Sequence, residues 1–248
     1  FNFINDQHVA NDIYEFRLLI SLIMKISNNH YRSKNFFFKI EKILEYFKAD
    51  IKSKYSNNEI FDLFKSNKRI LLFLVKSNIL QIDENISNIM KKNKYKIAKY
   101  QEYLCLSKEK SIPSDHLIDF EKKQNEGEND LHICKLIRED MIQEFIKYVK
   151  ETNFPLDALI KTSIFETNNF LLKREPTLLE YCAFFGSIQI FKFLIRSKVP
   201  LSDSLWEYAI HGNNLELIDF LKNKKLKPKD ATYRSCLEES IKCHHINI

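Results

Sequence analysis

The sequence predicts an all-α protein, a solenoid-like array of antiparallel helix pairs. Three observations carry that expectation. Apolar residues return at three- and four-residue steps through most of the chain, glycine is nearly absent, and one helix-pair unit recurs 26 residues after itself.

The periodicity comes first. Over 13–20 and again over 36–47 the apolar positions fall on one face of a 3.6-residue helix, the mark of a buried stripe. Ser56 and Glu59 bracket a cap for a helix over 60–65, because a short hydroxyl side chain can satisfy free N–H groups in the first turn. Asp83 and Glu84 open a further helix with acids where the macrodipole favours them. The apolar run 18–24 is cut by Lys25, far short of the roughly 20 residues a bilayer span needs, so no membrane insertion is expected.

The chain holds three glycines, where average usage would give about seventeen. Such scarcity argues against hairpins, phosphate-cradling loops and dinucleotide folds, which need glycine for positive φ or close backbone approach. The five cysteines, Cys105, Cys134, Cys182, Cys236 and Cys243, are odd in number and scattered. They read as small core hydrophobes in a reducing, intracellular setting, cytoplasmic with the nucleus as the alternative. The chain opens at Phe1 and is read as a fragment, truncated at its C-terminal end as well.

Charge divides the chain. Residues 1–110 carry a net +8, residues 111–180 a net −5 and residues 181–248 a net +3. The expected organisation is a helical N-terminal domain of degenerate helix pairs over 1–110, an acidic linker or exposed loop over 111–130, and a repeat region over 131–248. Pro113, Gly127 and the polar run 121–130 mark the connector, which has little to bury.

The recurring unit is clearest at 177–195. Thr177 is placed to cap a first helix, Cys182 and Ala183 are small residues on a packing face, and Gly186 is placed to stop that helix in the left-handed conformation. Ile190, Phe191, Leu194 and Ile195 form the apolar stripe of a second helix. Ala209 and Gly212 follow Ala183 and Gly186 by 26 residues, with Leu217, Ile218, Phe220 and Leu221 behind them and a one-residue slip at Asn213–Asn214. A third unit begins at Thr232, with Ser240 and Cys243 in its small positions. Weaker echoes lie at 66–77 and 142–149. This pattern resembles the ankyrin repeat, although its spacing is shorter than the usual period of about 33 and leaves little room for a β-hairpin finger. With 60–74, 136–140, 163–168 and 240–245, the chain is similar to the large trichomonad-type ankyrin proteins with a helical N-terminal domain, over roughly 40–248. That resemblance implies a helical-repeat scaffold and no assigned activity.

The function expected from these readings is a non-catalytic protein–protein interaction module, an adaptor or scaffold whose partner is another protein. The resemblance places its groove surface at Tyr181, Phe184, Phe185, Glu207, Ile210 and His211, where exposed aromatics would suit a binding hot spot. The competing reading packs the same residues against neighbouring units. The alternative function is nucleic-acid binding through the basic N-terminal half, with Lys91, Lys92, Lys94, Lys96 and Lys99 as the patch. Cys236, Cys243, His244 and His245 invite a zinc reading, but their spacings are not the short pairs of a structural site, so no metal and no cofactor is expected. A cysteine-protease arrangement finds no local support, and no Walker or metalloprotease motif is present.

Overall fold

The computed structural model describes residues 10–29, 35–92 and 114–245. These residues form helices throughout, with one isolated antiparallel bridge, Leu159 to Thr177, and no strand among them. They divide into two compact units, the first reaching to Glu128 and regaining Thr167–Asn169, the second holding Asn129–Glu166 and Phe170 onward.

The first unit contains α1 (Ile13–Asn29), α2 (Phe36–Tyr46), α3 (Lys48–Lys54), α4 (Asn57–Phe64), α5 (Lys68–Lys76), α6 (Glu84–Lys92) and α7 (Ser114–Glu126). Its core is the stripe the periodicity predicts: Phe16 and Ile20 of α1 meet Leu44, Ile51, Phe64 and Leu74. Ser56 caps α4 in a reciprocal box with Glu59, and the Asp83 carboxylate accepts from the N–H of Ile86 at 2.8 Å. Asn67 is fully buried yet satisfied, since its amide caps Ile70 and donates to the carbonyl of Ser27.

The segment expected as a linker or exposed loop over 111–130 instead carries α7, and the division between the units falls at Glu128/Asn129. Glu, Lys and Gln are good helix formers, and polar contacts hold the end of this helix. Gln124 is buried and accepts from Lys76 Nζ at 3.2 Å, while Arg69 donates to the carbonyl of Asn125 at 2.5 Å. Gly127 ends α7 at φ 66°, and its carbonyl accepts from both the N–H and the hydroxyl of Thr167.

The second unit contains α8 (His132–Arg138), α9 (Ile142–Thr152), the short α10 (Asn169–Leu172, whose first residue belongs to the other unit), α11 (Leu178–Phe185), α12 (Ile188–Arg196), α13 (Leu205–His211), α14 (Leu215–Asn223) and α15 (Arg234–Lys242). Helices α8, α11, α13 and α15 pack each against the next, and α9, α12 and α14 fold back on the helix before them. Thr177 caps α11 in a second reciprocal box, with Glu180. That buried carboxylate also accepts from the hydroxyls of Ser202 and Ser204, tying the start of α11 to the start of α13.

Helix ends here follow one chemical rule. A left-handed residue stops the helix, and the next N–H reaches back five residues to a carbonyl that would otherwise be orphaned. Among the first helices of each pair the stops are Asp140, Gly186, Asn213 and His244, with bonds from Met141, Ser187, Asn214 and His245 to Leu136, Cys182, Ala209 and Ser240. Among the second helices they are Asn153, Lys198 and Lys225, with bonds from Phe154, Val199 and Leu226 to Val149, Leu194 and Leu221.

Gly186 is therefore the left-handed stop expected of it, at φ 74°, but Gly212 is not. Gly212 keeps right-handed geometry at φ −74°, and Asn213 makes the stop one residue later. Glycine is needed at 212 for a different reason: a β-carbon there would lie 2.2 Å from the carbonyl oxygen of Phe184. The glycine lets α11 and α13 touch backbone to backbone.

Candidate functional site

The residues expected to line an exposed groove lie largely in the core. Tyr181, Phe184, Ile210 and His211 are buried, and only Phe185 and Glu207 keep partial exposure. The reason is packing on both flanks. Helix α11 is covered by α8 on one side and α13 on the other, and α13 is covered in turn by α15. Tyr181 Oη accepts from Arg138 at 3.3 Å. Glu207 pairs with Arg174 at 2.5 Å, and that guanidinium sits 4.3 Å above the ring of Phe170. These are the contacts of a core and its rim.

His211, the last residue of α13, is the one polar member of that set driven wholly inside, at 2% exposure. Its imidazole lies near-parallel to two aromatic rings, Phe170 at 4.5 Å and Phe184 at 5.0 Å between centroids. Its Nδ1 lies 2.6 Å from Glu239 Oε1 and 3.2 Å from Cys243 Sγ, and Sγ lies 3.7 Å from the same carboxylate oxygen. Glu239 and Cys243 share one face of α15 at i and i+4. His245 completes the surroundings, with Nε2 3.1 Å from the carbonyl of His211. Lys242 Nζ approaches the other Glu239 oxygen at 3.5 Å.

The electrostatics follow from this placement. Burial pushes the Glu239 carboxyl up, but the hydrogen bond and charge of His211, helped by Lys242, outweigh it and hold the group below its ordinary value. Burial and the neighbouring carboxylate push the Cys243 thiol up. Burial likewise raises Cys134 to about 12 and Cys236 to about 11, and lifts Cys182 well above its usual range. As free thiols these four are poor nucleophiles at neutral pH. The cluster is also the wrong shape for a nucleophile–base–orienter relay, which needs the thiol and the carboxylate on opposite imidazole nitrogens. Here both meet Nδ1.

The set Cys236, Cys243, His244 and His245 is not brought together. Only Cys243 enters the cluster; His244 is an exposed left-handed stop, and Cys236 is a core thiol. Of the basic patch, Lys91 and Lys92 close α6, whereas Lys94, Lys96 and Lys99 lie outside the described residues, as does Cys105. The first unit holds a cavity of about 400 Å³ lined by Asn28, Phe36, Phe37, Arg69, Asn125 and Thr167 among others. Asn28 is 9% exposed, and its Oδ1 is buried without a partner.

No helix among the described residues is long and apolar enough to cross a membrane. No family model, curated protein or solved structure matches the chain.

Proposed function

We propose that the chain is a non-catalytic protein–protein interaction module built from ankyrin-type helix pairs, a scaffold or adaptor akin to the trichomonad-type ankyrin proteins, working in a reducing intracellular compartment. What supports the repeat reading is the common closure of the first helices at Asp140, Gly186, Asn213 and His244, each with the same backward bond. Units that stack through nearest-neighbour contacts bury their inner faces and offer their outer ones. The buried free thiols support the reducing setting.

The observation that carries the interaction reading is the outer face of α15. Its inner face gives Cys236, Glu239, Ser240 and Cys243 to the core, while Leu237 and Ile241 stand 59% and 65% exposed on the opposite side, with Tyr233 beside them at 42%. An apolar stripe at i and i+4 on a stacked helix is shaped to receive another helix, and large exposed apolar residues in contiguity mark such surfaces.

The test is a double variant, Leu237→Glu with Ile241→Glu, which changes exposed positions only. Affinity purification from the native cell, with partners identified by mass spectrometry, should lose the wild-type partner set in this variant while the fold is retained by circular dichroism. An unchanged partner set would reject α15 as the surface. Binding to nucleic acid at physiological salt, abolished by charge reversal at Lys91, Lys92, Lys94 and Lys96, would reject the protein-interaction reading in favour of phosphate contacts, which weaken steeply with salt.

A further inference from the structure

We propose that His211, Glu239 and Cys243 form a binding site for a single zinc ion that clips the end of α13 to α15. The donors are an imidazole nitrogen, a carboxylate oxygen and a thiol sulfur, the three ligand types zinc takes. All three residues are buried, and their donor atoms lie within 4.8 Å of one another. Zinc bonds of about 2.0–2.3 Å in tetrahedral array put neighbouring donors about 3.4–3.6 Å apart. The sulfur lies 3.2 Å from Nδ1 and 3.7 Å from Oε1, close to that requirement. The Nδ1 to Oε1 separation of 2.6 Å is shorter and has to open, which a rotation of the Glu239 side chain supplies.

Two features argue that the cluster is a site and not merely a packed polar trio. Three atoms of metal-ligating type converge at one buried point, Nδ1 lying against both Oε1 and Sγ, and Sγ against the same Oε1. A divalent cation satisfies all three donors at once. It displaces the thiol proton and the proton on His211 Nδ1 to solvent, and the thiolate and carboxylate then balance its charge inside the core. The scaffold is also fixed before any ion arrives. Glu239 and Cys243 are set by one turn of α15, and the imidazole plane is held against Phe170 and Phe184. A fourth position falls to water. Such a clip would stiffen the helix whose outer face is the proposed interaction surface, yet it stands on the cluster geometry alone.

The experiment uses the full chain, stripped with chelator and titrated with zinc alone and with cobalt(II) alone. Zinc should bind at one equivalent per chain and raise the thermal midpoint, because an ion bound only by the folded state stabilises it. Cobalt should give the near-ultraviolet sulfur-to-metal charge-transfer band of a thiolate ligand. Cys243→Ser should abolish that band and weaken zinc binding at least about tenfold, whereas Cys236→Ser and Cys105→Ser should keep both. Circular dichroism on each variant separates loss of the site from loss of the fold, and the wild-type cobalt spectrum with its two cysteine controls decides the matter should Cys243→Ser unfold. No stoichiometric binding at micromolar zinc would overturn the proposal. So would a cobalt thiolate band that survives in Cys243→Ser or disappears in either control.

Discussion

Replacing Gly212 with alanine tests the backbone contact between α11 and α13. The new β-carbon would sit 2.2 Å from the carbonyl oxygen of Phe184, 2.9 Å from its carbonyl carbon and 3.2 Å from the carbonyl oxygen of Ala183. All three are backbone atoms, so no side chain can swing away. Restoring an ordinary separation of about 3.5 Å requires the helices to part by roughly 1.3 Å, enough to forfeit about half or more of the dispersion attraction across their contact. Overpacking of this kind costs about 3 kcal/mol, and the better helix propensity of alanine returns about 1 kcal/mol. The expected net loss is about 2 kcal/mol. Trp206, the single tryptophan, is 2% exposed in α13, so its emission during urea unfolding reports on this unit. With a slope of about 2 kcal/mol per molar, the midpoint should fall by about 1 M. Asn213→Gly is the comparator. It relieves the left-handed backbone at φ 53° and should leave the midpoint unchanged or slightly raised. A Gly212→Ala midpoint within about 0.2 M of wild type would refute the close-approach argument, and a large loss in Asn213→Gly would return the left-handed stop to Gly212.

Two further outcomes are expected in the first unit. Gly127→Val should cost on the order of 2 kcal/mol, because valine must take φ 66° and its β-carbon would meet the Thr167 hydroxyl at 3.1 Å; thermal unfolding by circular dichroism measures this, and a cost near about 0.5 kcal/mol, as for ordinary surface changes, would mean that α7 is not anchored there. The Glu59 carboxyl should titrate below its ordinary value of 4.5, held down first by the N–H of Ser56, then by its hydroxyl and by Arg17. A depressed folded-state value makes its contribution to stability fully present above pH 4.5 and lost as pH falls through the lower value. Side-chain carbonyl shifts by NMR should follow this titration and move back toward the ordinary value in Ser56→Ala, while an unchanged titration in that variant would contradict the capping box.

How much was legible in the sequence follows from what each signal physically encodes. Caps were readable because Ser56 with Glu59 and Thr177 with Glu180 close their bonds within four residues. The stripes of α1, α12 and α14 were readable because burial leaves a period of its own. The helix stops were readable only where glycine made them. Lys198 and Lys225 take the same left-handed geometry although nothing in that residue type announces it, and Asp140 and His244 announce it only weakly. Tertiary packing imposes the turn, and the backward hydrogen bond offsets the strain of the β-carbon. Helix α7 was hidden for the opposite reason. Its contacts through Gln124 and the carbonyl of Asn125 are polar, and a polar run with a glycine reads as loop.

The burial of the expected groove residues escapes the sequence through a register error and a packing error acting together. Aligning Gly212 with Gly186 treats both as the residue after the helix, whereas the backward bonds align Gly186 with Asn213 and Cys182 with Ala209. One residue of slip turns a helical side chain by about 100°, enough to carry Ile210 from a groove position to the core slot that Ala183 fills in the preceding unit. For Tyr181 and Phe184, and for His211 in the slot of Phe184, burial comes from neighbours on both flanks, which a single unit cannot reveal. The cluster at His211 could be found only in part. Glu239 and Cys243 are visible as an i, i+4 pair, but their third member lies 28 residues before Glu239, across a whole helix and its connections. The zinc reading of Cys236, Cys243, His244 and His245 stays within one segment, yet consecutive residues on a helix end point in different directions. Stacking selects the donors that meet, and the residue it brings to Cys243 comes from the preceding helix pair.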